Sequence, residues 1–530
     1  MNKIYILDCT LRDGGYVNQW KFGELNIKKI INSLIDSNVD IIECGFLTEK
    51  KERNGGTSLF DNVERISDYL PTHKGNSMMV CMINYGEYNV DNLPKYDGTS
   101  IDGIRVAFHK EDVNGALTVC KKIKEKGYKV FMQPMVSMSY LDEEFIELIK
   151  KSNDIKPYAF YIVDSFGMMK RKDLMRLFYL VEHNLANDIF VGYHSHNNMQ
   201  MAYSNSQSLV DLKTKRKLII DSSVFGMGRG AGNLNTELFI EYLNELNGEK
   251  YKIKPLLKII DQVLNTIYSS SFWGYSLPHY VSAMNSCHPN YASYLDDKST
   301  LTIENINEIL MRLDDTKKNN FDKEYIERLY TEYQNRSIAD EKAKNLLRDA
   351  LLDKTVVIIA PGSSIIEEES KIQEAIEKPN VITISINFKS DHIKCDYVFI
   401  SNLRRYEDLK INNDIELIKT SNIQNGHTGG IVVNYSDLVN DINSVEDNAG
   451  MMLLKLLLDI GVKKVKLAGL DGYSHDIYEN FAEKELAFIK SSSVMDAMNS
   501  GIEIVLNRFS ENIDIEFITT PKFIKLGESK

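Results

Sequence analysis

Eight short apolar runs, most of them separated by stretches of helical period, fill the first 250 residues. They are IYILD (4–8), VDIIECGF (39–46), MMVCMIN (78–84), IDGIRVAF (101–108), YKVFMQPM (128–135), YAFYIVDS (158–165), IFVGYHSH (189–196) and KLIIDSSV (217–224). Between them stand amphipathic segments such as LNIKKIINSLIDSN, GALTVCKKIKEKG, DEEFIELIKKSN, KDLMRLFYLVEHNL and MQMAYSNSQSLVDL. A continuous apolar run followed by a helix is what a parallel strand covered on both faces requires. Eight such units in about 250 residues predict a closed (β/α)8 TIM barrel over 1–254 rather than an open sheet. The connection at 85–100 departs from the pattern, being turn-rich and without a helical period.

Beyond the barrel the strand runs stop. Residues 255–345 read as a helical extension, with loop-like SSFWGYSLPHY and NSCHPNY inside it, and DEKAKNLLRDALLDK (340–354) as a linker helix. A second strand–helix alternation opens at TVVIIAPGSS (355–364) and continues through NVITISIN, CDYVFISN, DIELIKTS, the helix EDNAGMMLLKLLLDIG, VKKVKLAGLDGY and IDIEFITT. It predicts a separate Rossmann-like α/β domain over 346–530. The fold class expected is therefore α/β, with a TIM barrel, a helical extension and an open sheet.

Composition removes several function classes. A net charge of −12 argues against nucleic acid as a partner, because neutralising phosphates needs clustered Lys and Arg. Six dispersed cysteines, with no CxxC, read as free thiols in a reducing compartment. The start MNKIYILDCTLRDGG lacks the pattern of a signal peptide, and no apolar run approaches the ~20 residues of a membrane span. The expectation is a cytoplasmic homo-oligomer that acts on small molecules.

In a TIM barrel the active site gathers at the carboxyl ends of the strands. Those ends carry Asp8, Arg12 and Asp13, then Glu43, Arg105, Gln133, Asp164 and Ser165, His194 and His196, and finally GMGRGAGN (226–233). His194 and His196 stand two apart at a strand end, so their side chains face one way. Two imidazoles with the Asp13 carboxylate make a mixed nitrogen–oxygen set suited to Mn2+ or Mg2+, with Zn2+ or Fe2+ also accommodated. A guanidinium beside such a site, here Arg12, would hold a developing enolate oxygen; the alternative is a rim ion pair with Glu43. The glycines of GMGRGAGN fit either a phosphate cradle or a tight loop closing the barrel.

TLRDGG, ECGF, DSFG, HSHNN and GMGRGAGN, in this order over residues 1–250, resemble the DRE-TIM metallolyase superfamily. DSFGMM and HSHNNMQMAYSNS are most similar to its 4-hydroxy-2-oxo-acid aldolase branch. The resemblance implies a divalent metal on Asp13, His194 and His196, a pyruvate enolate held by Arg12, and a 2-oxo acid carboxylate touched by Ser165. It also implies a 2-oxo acid and an aldehyde as reaction partners. Arg105 and Gln133 are further candidate substrate-binding residues, and Glu43 and Asp164 candidate catalytic ones. Where those aldolases carry a His soon after RDG as the base, this chain has Gly14–Gly15–Tyr16. Tyr16 acting through a water, or His279 or His288 from the extension, would take that place. Claisen condensation with an acyl-CoA, or a barrel kept as a binding scaffold, are the competing readings.

In the second half, the Pro-Gly-Ser-Ser turn after VVIIA offers backbone N–H groups of the kind that bind phosphate. Together with NGHTGGIVVN and VKLAGLDGY it resembles nucleotide-sugar-handling proteins of bacterial surface-polysaccharide pathways. Gly362, Ser363, Ser364, His427 and Asp471 are the candidate nucleotide-binding residues; strand-capping polar loops would look the same.

Overall fold

The computed structural model describes residues 4–49, 55–335, 337–390, 392–409, 416–423, 429–488, 490 and 492–524. Two compact units result, one comprising Met1–Ala292 and Leu313–Phe321, the other Ser293–Arg312 and Asp322–Lys530.

The first unit contains the barrel. Its strands are β1 (Ile4–Asp8), β2 (Ile41–Leu47), β3 (Met78–Asn84), β4 (Gly103–Phe108), β5 (Lys129–Pro134), β6 (Ala159–Asp164), β7 (Phe190–Ser195) and β8 (Leu218–Ser222). Each pairs in parallel with its sequence neighbour, and β1 pairs with both β2 and β8, which closes the sheet into a (β/α)8 barrel. The outer layer includes α1 (Glu24–Asp36), α2 (Val113–Glu125), α3 (Asp142–Ile155), α4 (Arg171–Asn184), α5 (Ala202–Val210) and α6 (Thr236–Asn247). Each of these helices buries one apolar face, such as Ile27, Ile30, Ile31 and Leu34 of α1, in the layer between strands and helices. The β3–β4 connection holds only a one-turn helix, Val90–Asn92, as its turn-rich sequence indicates.

The stretch 255–345 is shared between the units rather than forming one extension. Its first part stays with the barrel, where Trp273 Nε1 donates to the Phe225 carbonyl after β8. Its later helices belong to the second unit through polar contacts: Tyr330 donates to Asp447, and the Asn422 amide to Gln334.

The second unit holds a seven-stranded, all-parallel sheet. Its strands are β9 (Thr355–Ile359), β10 (Val381–Ile386), β11 (Tyr397–Ile400), β12 (Glu416–Thr420), β13 (Ile431–Val433), β14 (Lys464–Ala468) and β15 (Asp514–Phe517). Their spatial order is β13-β12-β11-β10-β9-β14-β15. The helices α7 (Ala449–Asp459) and α8 (Ser492–Ser510) pack on its core. Among the described residues, no helix is long and apolar enough to cross a membrane.

Candidate active site and metal centre

Alternation along each barrel strand decides which side chains point inward. Leu7, Ile41, Val80, Phe131, Tyr161 and Ile219 belong to an apolar cluster of the barrel interior. Two residues nearer the carboxyl ends, the same faces carry Glu43 on β2, Gln133 on β5 and Asp221 on β8; β4 adds Arg105 and β7 adds His194. The sequence therefore builds a polar layer on top of an apolar plug.

Arg105 anchors this layer and is fully enclosed, at 0% exposure. Its Nη1 lies 2.7 Å from Glu43 Oε2, Nη2 pairs with Asp221 Oδ2, and its guanidinium sits 5.0 Å over the Tyr161 ring. With its amide turned so that the oxygen faces Arg105, Gln133 would accept from Nη2 at 3.0 Å and from Nε at 3.2 Å. Arg105 and Gln133 thus brace Glu43 and Asp221, with their polar groups turned to protein partners.

Above the layer, the turn after β1 is tied down by the Cys9 N–H to the Ser222 carbonyl and the Asp13 N–H to the Cys9 carbonyl. Trp20 Nε1 also donates to the Arg12 carbonyl, at 2.8 Å. This fixes Arg12, whose Nε donates to Glu43 at 2.8 Å and Nη1 to Asp13 Oδ1 at 2.6 Å. Among the described residues its buried Nη2 has no hydrogen-bond partner. The rim ion pair with Glu43 and a free donor therefore coexist in one side chain.

Asp13, His194 and His196 each offer a ligand atom, and these atoms lie within 4.8 Å of one another. Each imidazole has an acceptor facing its Nδ1. His194 Nδ1 is 3.0 Å from Asp221 Oδ2, and His196 Nδ1 is 3.3 Å from the Asp164 carbonyl. Both acceptors can take a proton from Nδ1, and in that tautomer each Nε2 lone pair is free for a metal. His196 Nε2 then faces Asp13 Oδ2 at 3.1 Å, lone pair against carboxylate, an arrangement that a shared cation relieves. Burial lowers the His194 pKa to about 4, although Asp221 pulls it upward, so the ring is neutral near pH 7. Burial would raise Asp13, but Arg12 holds its carboxyl well below the usual range. Two guanidinium groups, Arg12 and Arg105, face three carboxylates, Asp13, Glu43 and Asp221, so this buried cluster carries one net negative charge. The donor set, the tautomers and the charge all fit a divalent metal.

Around the triad, Asn233 donates to Asp13 Oδ2. A side chain at Gly228 would come within 2.1 Å of Asn233 Nδ2 and 2.8 Å of Asp13 Oδ2. Loop amides of Ala231, Gly232 and Asn233 bond to Asn198 Oδ1, Arg229 O and Gly226 O. Residues 226–233 therefore form a tight loop packed on Asp13. Asp164 caps its own strand end, its carboxylate accepting from the Met168 and Met169 N–H groups, and burial raises it to about 6. Ser165 Oγ accepts from the Val136 N–H at 2.9 Å. Arg229 lies across the site: its guanidinium is 5.5 Å from the Tyr16 ring centre, Nη2 donates to Ser165 O, and Nη1 is 3.3 Å from His288 Nε2. Tyr16 and His288 are thus joined through Arg229. Burial and Arg229 push His288 down to about 2. His279 lies on the helix Leu277–Met284, lowered by burial to about 4, its Nδ1 without a partner.

Asp221, Asn233 and Arg229 are the residues that reasoning from sequence did not single out. Asp221 had a signal, a lone acid on the inward face of the run KLIIDSSV.

In the second unit the Pro-Gly-Ser-Ser turn is occupied by the chain itself. The Ser364 N–H and Oγ both donate to the Asp471 carboxylate, and Ser363 Oγ bonds to the Glu479 carbonyl. Gly362 packs so closely that a side chain would meet Gly469 O at 2.2 Å. His427 lies outside the described residues.

Comparison with known proteins places this site in context. Residues 103–264 match the HMGL-like family model. A 4-hydroxy-2-oxovalerate aldolase of Geobacillus genomosp. 3 is 25% identical over 46% of this chain and 72% of its own length. An oxaloacetate decarboxylase of Mycobacterium tuberculosis is 24% identical over 45% of this chain and 69% of its own. Among solved structures, the N-terminal domain of an aldolase candidate from Bacteroides vulgatus is 27% identical, covers 56% of this chain and 97% of its own, and superposes with a TM-score of 0.48.

Proposed function

From an HMGL-like domain that carries a buried Asp–His–His triad, we propose a divalent-metal-dependent aldolase that cleaves or forms a 4-hydroxy-2-oxo acid through a pyruvate enolate. The observation that carries this reading is the unpartnered Arg12 Nη2, held beside the triad by Glu43 and Asp13. Asp13, His194 and His196 would hold Mn2+ or Mg2+, which acts as a Lewis acid on the 2-oxo group. Arg12, locked at two of its three nitrogens, offers the third to the enolate oxygen as charge develops, without reorganising. Asp221 keeps His194 in the ligand tautomer, and Arg105, paired to both Asp221 and Glu43, holds the Asp221 carboxyl below its usual range. Arg229 positions the mouth of the site, and Ser165 turns its hydroxyl proton toward the substrate carboxylate.

Tyr16, as its phenolate, is the base for the 4-hydroxyl proton, through an intervening water. It remains 39% exposed, and its hydroxyl pKa is raised by burial against the opposing pull of Arg229. His288, driven to about 2, is a weaker base and serves to position Arg229. The second unit would bind a nucleotide or nucleotide-sugar, and the fusion would serve synthesis of a bacterial surface-polysaccharide sugar in the cytoplasm.

The test follows exchange of pyruvate methyl protons with deuterium by NMR, and pyruvate release from 4-hydroxy-2-oxo acids in a coupled assay. Wild type with Mn2+ should do both, and His194→Ala neither. No exchange with Mn2+, Mg2+ or Zn2+ would refute the enolate chemistry.

A further inference from the structure

The strand order of the second unit reverses between β9 and β14. Connections leaving the two sides of such a reversal diverge, and open parallel sheets bind ligands in the crevice this leaves beyond the carboxyl ends. A cavity of about 1070 Å3 lies at that edge, against Ala360 after β9, Asn387 after β10, Arg404 after β11 and Leu470 after β14. All its lining residues belong to this unit. It differs from the Gly362–Ser364 turn, where Asp471 already takes the donors that a phosphate would need.

The walls divide by chemistry. Tyr473, Phe488 and Phe481 form an aromatic cluster, with ring centres 5.6 and 5.5 Å apart and planes inclined by 56° and 64°. Lys490 is half-buried and Arg404 is exposed, and among the described residues neither has an ion-pair or hydrogen-bond partner. The Lys490 Nζ sits 5.3 Å over the Phe488 ring, and burial lowers its pKa against the longer-range pull of Asp447, Asp297 and Asp296, so an anion meeting the ammonium offsets the cost of its burial. Asp297 and Glu446 add carboxylates whose pKa values burial raises, acceptors suited to hydroxyl groups. The amino end of α7, at Asn448–Gly450, also lines the cavity and adds a positive dipole end. The volume lies at the upper end of the roughly 300–1,000 Å3 usual for small-molecule sites, larger than a bare phosphate needs.

We infer that this crevice binds a nucleoside diphosphate, free or esterified to a sugar, with its pyrophosphate at Lys490 and Arg404, its base on the Phe481–Phe488–Tyr473 cluster and its hydroxyls at Asp297 and Glu446. This rests on the reading of the second unit as nucleotide-binding, and adds where the ligand sits and which groups hold it.

Calorimetric titration of the full-length chain with UDP, CDP, GDP, ADP and inorganic phosphate tests it. At least one diphosphate should bind with one-to-one stoichiometry, far more tightly than phosphate. Lys490→Met should weaken it about tenfold or more, the loss of one charged hydrogen bond. Ala497→Trp should abolish binding, because Ala497 lines the cavity on an exposed position of α8 where the larger ring does not threaten folding. Unfolding curves of both variants should match wild type. Diphosphate binding that neither substitution changes would place the ligand elsewhere and overturn the crevice, leaving the nucleotide reading intact. No diphosphate binding by wild type would overturn both. Phosphate binding as tightly as any diphosphate would reject the nucleotide class.

Discussion

Replacing Asp221 by Asn removes one charge from beneath the metal centre while leaving its shape. Two donors, Arg105 Nη2 and His194 Nδ1, converge on Asp221 Oδ2, whereas Oδ1 has no partner. An asparagine therefore fits with its carbonyl in place of Oδ2 and its amide in the empty position. Arg105 keeps Glu43 at 2.7 Å but loses its second counter-charge. Breaking a buried pair costs about 3–5 kcal/mol, and the remaining carboxylate argues for the lower end. At roughly 2–4 °C per kcal/mol for a domain of this size, melting of the barrel unit should fall by about 6–12 °C. Metal affinity should fall about 10–100-fold, the usual effect of losing an outer-shell partner. Protonation of His194 cannot be the cause, because Asp221 raises its pKa and removing the charge drives it further below about 4. Mn2+ titration by calorimetry, with circular dichroism as a check on folding, measures both effects. A folded Asp221→Asn protein that binds Mn2+ as tightly as wild type would refute the argument that the buried charge layer tunes the site.

Arg12→Lys should retain Mn2+ but slow pyruvate proton exchange about 100-fold, since an ammonium cannot bridge Glu43 and Asp13 while presenting a third donor; equal rates would remove Arg12 from enolate stabilisation. Tyr16→Phe should lose cleavage of the 4-hydroxy-2-oxo acid yet keep pyruvate proton exchange, and wild-type cleavage should rise with pH because the Tyr16 hydroxyl pKa is raised. Loss of both activities would give Tyr16 a structural role instead. Asp8, buried and raised to about 6, is more costly to ionise in the folded than in the unfolded chain, so its contribution destabilises the fold as pH rises from about 4 to about 6. Asp8→Asn should abolish that part of the pH dependence, about 3 kcal/mol from roughly two pKa units, in urea unfolding at pH 4 and pH 7; parallel curves for both proteins would reject it.

The barrel was legible because parallel strands sealed on both faces need uninterrupted apolar runs, and the eight runs coincide with the eight strands. The closeness of Asp13, His194 and His196 was legible because the two histidines share one face of β7 and Asp13 follows β1 at the same carboxyl-end rim. In the second half, β13 is a three-residue strand, Ile431–Val433, too short to leave a periodic signal. The helix α8 carries Gly501, seated 2.4 Å by its projected side chain from Ser444 Oγ, so close packing selected a weak helix former there. The crevice escapes sequence reading altogether, because its groups come from segments between residues 294 and 498 that only the reversed strand order brings together.

The polar residues of the barrel also separate by depth, which a list of strand-end candidates does not reveal. Arg12 and Arg105 are the same residue type, both buried, both paired to Glu43 and each with one nitrogen that makes no hydrogen bond among the described residues, but that nitrogen of Arg105, Nη1, lies 2.7 Å from Glu43 in an ion pair. Arg12 sits past the end of its strand, in the turn, whereas Arg105 lies three residues before the end of β4, roughly 10 Å of strand at 3.3 Å per residue. That depth places Arg105 between Glu43, Asp221, Gln133 and Tyr161, where every direction is filled. A charge so placed can act on chemistry only by setting the ionisation and orientation of the groups above it. Depth along the strand, rather than residue type, therefore sorts the supporting layer from the reacting one.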